Sequence, residues 1–243
     1  LETMKKNAHT GSFDLKVFEM GKVFFHSEYT ELPRESNHLA CLLTGLQDDQ
    51  QWYGKRNADF YDLKGSVESI FSDLMIKEIK FQPGRCEPFL TPGKSARLSI
   101  GGRSAGFIGE VHRDVMDKMD LKNAAFAIEM DLDVLSEAFS SRISYREISR
   151  FPSIVRDVAL LITKQIDADS MLGIINENNE ELLEKVCIFD VYDGKGIQDG
   201  QRSLGLRFTY RSSKKTLTDE EITRVHGGIV ERIVALTGAS VRS

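Results

Sequence analysis

Only three cysteines occur in 243 residues: Cys41, Cys86 and Cys187. Their odd number and wide spacing exclude a disulfide framework and offer no zinc-ligand pattern. Thiols used this sparingly suit a reducing compartment, as buried or idle side chains. No apolar run approaches the roughly 20 residues that a membrane-spanning helix needs, and no signal-peptide pattern is present. A cytoplasmic protein without a membrane partner is expected. Positive charge is also in short supply: 32 Lys and Arg against 37 Asp and Glu leave a net charge of −5. Sequence-blind coating of nucleic acid needs a basic footprint and is excluded, whereas a local basic site is not. The chain opens "LETMKKNAHT" with no initiator methionine, and so reads as a piece cut from something longer.

Catalytic constellations are missing too. His9, His26, His38, His112 and His226 show neither triad nor ligand spacing, and no nucleophile, base and orienting group come together. "PGKSA" at 92–96 has the end of a phosphate-binding loop, but Pro88 stands where that motif needs glycine. "HRD" at 112–114 lacks the asparagine of a kinase catalytic loop, with Met119 in its place. Gly101, Gly102, Gly106 and Gly109 read as hairpin and bulge glycines rather than a dinucleotide fingerprint. His226 reads as a helix-surface residue. No catalytic residue, metal ligand or bound cofactor is expected, and the chemistry left is binding and assembly.

What remains is a globular composition, 41% hydrophobic and 28% charged, long enough for one large domain or two small ones. Residues 13–25 alternate as a strand with a bend at Gly21, and "HLACLLTGL" at 38–46 reads as a strand covered on both faces. Asp59 caps a helix whose buried stripe is Phe60, Leu63, Val67, Ile70, Phe71 and Leu74. "ARLSIGGRSAGFIGEV" is a hairpin turning at Gly101-Gly102. A short helix, the strand "AAFAIEMDL" and another short helix complete a mixed, mostly antiparallel α+β module over 1–145. A polar stretch ending at Pro152 marks the boundary, and a second domain occupies 150–243. There the strand "IVRDVALLI", a helix over 169–178, two further strands, a helix from Thr218 and the short end "ASVRS" follow in order. Thr218 and Glu221 form a capping box. Ile222, Val225, Ile229, Ile233 and Leu236 form the buried stripe, and Gly238 sits at the C-terminal cap. The order β-α-β-β-α-β is the ferredoxin-like split, a four-stranded sheet with both helices on one face and the other face open.

Alternation decides which side chains occupy that open face. Cys187, Phe189 and Val191 are apolar and turn to the helices, as do Leu204, Leu206, Phe208 and Tyr210, and Val158, Leu160 and Ile162. Ala159, Asp190, Tyr192, Ser203, Arg207 and Arg211 are left outside. A tyrosine ring is a stacking platform for an unpaired base. A carboxylate and a hydroxyl read base edges. A small residue lets a base approach the sheet, and the two arginines suit phosphates. The same face also reads as an ordinary solvated sheet surface with one exposed tyrosine, since many ferredoxin-like domains bind no RNA. A small-molecule regulatory module and a purely structural assembly module are the alternatives.

Several segments resemble those of bacterial phenylalanine–tRNA ligase β subunits. "RFPSIVRDVALLI", "FDVYDGKGI" and "RSLGLRFTYRSSKKTLTDEEI" match the ferredoxin-fold anticodon-binding domain of that family. "FEMGKVF", "DFYDLKGSVESIF", "PGKSARL" and "GFIGEVH" match the class II synthetase-like module that precedes it. The resemblance implies a share in an (αβ)₂ heterotetramer that attaches phenylalanine to tRNA(Phe) with ATP and Mg²⁺. It implies an α subunit that holds the synthetic site, with a non-catalytic first module here serving assembly. The fragment alone would be inactive, binding neither ATP nor Mg²⁺. The family's anticodon contacts fall on Ala159, Asp190, Tyr192 and Ser203, and its N-terminal and editing modules have no counterpart in the sequence. One departure stands out: after "GEVH" the family usually has proline, and this chain has Arg113.

Overall fold

The computed structural model describes residues 1–26, 31–47, 54–84, 87–139, 147–177 and 180–242. Cys86 lies outside the described residues. The chain divides into two compact units, Leu1–Ser144 and Tyr145–Ser243.

The first unit is built on a six-stranded antiparallel sheet. Its strands are β1 (Leu15–Phe25), β2 (Arg34–Thr44), β3 (Ile79–Pro83), β4 (Leu90–Ile100), β5 (Arg103–Val111) and β6 (Ala125–Asp131), in the order β1-β2-β6-β5-β4-β3. Helices α1 (Glu2–His9), α2 (Phe60–Asp73), α3 (Arg113–Lys118) and α4 (Leu132–Ala138) complete it. Helix α2 begins where the sequence directs: Asp59 and Asp62 form a reciprocal capping box. Its Leu63, Val67 and Phe71 are at most 4% exposed and meet Leu98, Ile108 and Ile128 of the sheet in the main core. Burying each such side chain is worth about 1.5–3 kcal/mol. A smaller core on Met4, Met116 and Leu121 joins α1 and α3. The hairpin turn is Gly101-Gly102, both at positive φ.

Pairing of β1 with β2 runs through Gly21 without a register shift. Three details differ from expectation. β2 starts at Arg34, and its Ala40 is exposed, so its second face is only partly covered. Helix α1 and strand β3 carried too weak a pattern to be read. Arg113 occupies the first position of α3, after the N-cap His112. An N–H at that position has no partner within the helix, so arginine and proline serve equally.

The second unit has strands β7 (Ile154–Thr163), β8 (Leu183–Tyr192), β9 (Gln201–Tyr210) and β10 (Ser240–Val241), with helices α5 (Ala168–Asn176) and α6 (Asp219–Thr237). The sheet order is β10-β7-β9-β8, antiparallel throughout. This is the ferredoxin-like arrangement. Leu160, Ile162, Leu204, Leu206, Phe208 and Tyr210 pack on Met171 and Ile175 of α5 and on Ile222, Ile229 and Ile233 of α6. The Thr218–Glu221 capping box forms, and Gly238 closes α6 in the left-handed conformation. The stripe of α6 is one residue shorter than read, because Leu236 is 59% exposed. His226 is half-buried rather than fully on the helix surface. Its Nδ1 lies 2.9 Å from the Tyr210 hydroxyl oxygen and its ring meets Phe208 edge-on. Burial holds its pKa below the ordinary imidazole value.

Candidate nucleic-acid interface

The helix-free face of the second sheet is laid out in rungs by strand pairing. One rung runs Ser240–Leu161–Ser203–Tyr192, and the next Ala159–Gly205–Asp190. The backbone N–H of Arg242 donates to the Ala159 carbonyl at 2.8 Å, which anchors the C-terminal strand beside the second rung. A third rung runs Asp157–Arg207–Cys187. Ala159, Asp190, Tyr192 and Ser203, drawn from three strands, thus occupy two adjacent rungs. Asp190 and Tyr192 are exposed and Ala159 is half-buried. Ser203 is only 2% exposed, so a ligand would meet no more than the edge of its hydroxyl. Among the described residues the Asp190 carboxylate has neither an ion pair nor a hydrogen bond.

The Tyr192 ring is positioned by its own loop. Its hydroxyl donates to the Lys195 carbonyl at 3.0 Å. A Cβ on Gly194 would fall 2.7 Å from the phenol oxygen and 2.8 Å from Cζ, so the turn closes against the ring only because residue 194 has no side chain. The guanidinium carbon of Arg242 lies over the ring, 5.5 Å from its centroid, within the range of cation–π attraction.

The two arginines expected at phosphates are already engaged. Arg207 donates to Asp157 through Nε and a terminal nitrogen, at 2.8 and 2.7 Å. That pairing holds the Asp157 carboxyl below its ordinary pKa. Arg211 donates to Glu184 at 3.0 Å. Each can offer a phosphate only what its carboxylate leaves. Arg242 has no carboxylate partner among the described residues, so it is the better-placed cation beside the tyrosine.

Alternation misplaced Cys187 and Phe189. A β-bulge between Ile188 and Asp190 puts two residues of β8 opposite Gly205. Below it the even residues Val186 and Ile188 meet the helices, so Cys187 and Phe189 turn outward. Above it Val191 pairs with Leu204 on the helix side, where it was expected. The bulge is why Phe189, Asp190 and Tyr192 all reach one face. Sequence reasoning also missed Gly205 and Arg242. A glycine inside a strand run is a known mark of close approach and could have flagged Gly205. A two-residue strand has no periodicity to expose Arg242.

Comparisons with known proteins bear on both units. The family described as "Phenylalanyl tRNA synthetase beta chain CLM domain" matches residues 1–132, more than half the chain. The chain belongs to the phenylalanyl-tRNA synthetase β-chain family. The family described as "Ferredoxin-fold anticodon binding domain" matches residues 149–242. Among relatives, the phenylalanine–tRNA ligase β subunit of Syntrophus aciditrophicus is 49% identical over all 243 residues. That of Shouchella clausii is 38% identical over 241 residues, 98% of this chain. In both cases the match covers 30% of the relative, so the chain spans just under a third of the length of the relatives it matches.

Proposed function

We propose that this chain is the portion of a phenylalanine–tRNA ligase β subunit that docks the anticodon of tRNA(Phe) and supports assembly with the α subunit. The observation that carries the reading is the pair of adjacent rungs that brings Ala159, Asp190, Tyr192 and Ser203 together on a helix-free sheet face. An anticodon base stacks on Tyr192 while Asp190 and Ser203 read base edges, and Ala159 leaves room for close approach. Arg242 supplies phosphate charge, with Arg207 and Arg211 secondary to it. Each stacked base is worth about 1–3 kcal/mol. No bond is made or broken by these residues; docking orients the tRNA so that its 3′ end reaches the α subunit.

The domain over 1–145 is the assembly module. Phe18, Met20 and Phe24 of edge strand β1 are 72%, 64% and 61% exposed, and register puts Phe18 and Met20 on the face of Cys41 and Leu39. An apolar stripe on an edge strand needs a cover, and the α subunit of a cytoplasmic (αβ)₂ enzyme supplies it. ATP and Mg²⁺ belong to the α subunit's site. The described residues of this chain offer no group of three His, Cys, Asp or Glu side chains that could hold a metal ion, so no step is assigned to one. No helix among them is long and apolar enough to cross a membrane.

The test is a low-salt titration with a tRNA(Phe) anticodon stem-loop, set beside Tyr192→Ala and a loop with its first anticodon base changed. The expected result is binding by wild type and about tenfold weakening by either change. Equal binding by all three overturns the reading.

A further inference from the structure

A second aromatic surface stands beside the tyrosine. Phe189 is 52% exposed: it follows Ile188, which meets the helices, and the bulge sets it with Asp190 opposite Gly205. Its ring leans across β9: a Cβ on Gly205 would lie 3.0 Å from Cζ and 3.3 Å from Cε1. The Arg207 guanidinium carbon is 5.0 Å from the ring centroid. That guanidinium is itself fixed by its two bonds to Asp157. These neighbours hold the ring in place and leave about half of it open.

We propose that Phe189 is a second stacking platform, taking a nucleobase adjacent to the one on Tyr192, with the Asp157–Arg207 pair fixing the ring. This rests on the reading of the face as an anticodon reader. The rungs of Phe189 and Tyr192, at Gly205 and Ser203, are two residues apart along β9, about 6.8 Å. Successive nucleotides in a stacked strand rise about 3.4 Å. Bases resting on both rings therefore cannot remain stacked on one another. They are splayed, and each ring replaces a lost base–base contact. Single-stranded loops supply such bases and duplexes do not. Asp190, between the two rings in sequence and without a partner among the described residues, is positioned to accept from an amino edge of either base.

The experiment is a set of double-mutant cycles between protein and RNA. The 243-residue chain is titrated at low salt with the anticodon stem-loop, intact or with an abasic site at each anticodon position in turn. The variants are Phe189→Ala, Phe189→Leu, Phe189→Tyr and Tyr192→Ala, with the melting temperature of each recorded. Phe189→Ala and Phe189→Leu are expected to weaken binding of the intact loop about tenfold, the scale of one base–aromatic stack. Phe189→Tyr retains binding, and Phe189→Leu keeps the wild-type melting temperature. One abasic position abolishes the effect of Phe189→Ala, and it neighbours the position that abolishes the effect of Tyr192→Ala. If Tyr192→Ala weakens binding while the Phe189 variants bind like wild type, the second platform is refuted and the anticodon reading stands. Coupling of both rings to the same base also refutes it. If wild type does not bind the loop, the anticodon reading falls and the second platform with it.

Discussion

Gly205→Ala is a sharp probe of the reading face because its effects on stability and on binding separate. The new Cβ would lie 3.0 Å from Asp190 Cβ and from Phe189 Cζ, well inside the usual 3.5–4.0 Å carbon–carbon contact. Phe189 is half-exposed and can lift; Asp190 Cβ is tied to the strand and must shift by a few tenths of an ångström. Crowding of this kind costs about 1–3 kcal/mol in a tight core, and a yielding surface ring puts the cost near 1 kcal/mol. Replacing glycine where φ is ordinary returns about 0.4–1 kcal/mol through the unfolded chain. The net loss lies between zero and about 0.6 kcal/mol, which for a domain of this size lowers Tm by at most about 5 °C. Binding should suffer more, since the ring and the carboxylate that meet the RNA are the groups displaced, and a loss of about tenfold is expected. Differential scanning fluorimetry and the stem-loop titration read the two effects. Unchanged affinity, or a collapse of Tm with affinity retained, would refute the reasoning.

Three further outcomes are expected. Arg242→Ala should weaken stem-loop binding several-fold and reduce the slope of log K against log salt by about 0.7, one single-strand phosphate contact; Arg211→Ala should leave the slope nearly unchanged. Burial lowers the pKa of His226, so near pH 6.5 and below the unfolded chain takes up a proton more readily than the folded chain. Its contribution to stability is present above that pH and fades as pH falls below it. The loss of Tm from pH 7 to 5.5 should therefore be smaller in His226→Gln than in wild type. Phe71→Ala, at a position 1% exposed, should cost the first unit about 3–5 kcal/mol in urea unfolding.

The parts of this fold that were legible in the sequence are those in which local chemistry and long-range packing agree. The capping residues Asp59 and Thr218, the turn at Gly101-Gly102 and the cap at Gly238 each state a backbone requirement within a few residues. The apolar stripes of α2 and α6 state which face is buried. The four open-face residues followed from strict alternation, yet Asp190 and Tyr192 lie outward by a route that alternation does not describe. Counting outward from Ile188 places Phe189 correctly but predicts the wrong face for Asp190; the bulge turns Asp190 out beside it. A bulge is fixed by pairing between strands and has no signature in one strand's pattern. Arg242 was illegible for a related reason. Its position depends on a two-residue pairing with β7 and one hydrogen bond to Ala159, contacts made across some eighty residues of sequence.

The most direct test of the central claim is chemical-shift mapping of the labelled 243-residue chain during addition of the tRNA(Phe) anticodon stem-loop. The account predicts that the amides of Ala159, Asp190, Tyr192 and Ser203 move together and saturably, while those of α5 and of α6 do not. Shifts confined to the helices, or none at saturating RNA, would contradict it.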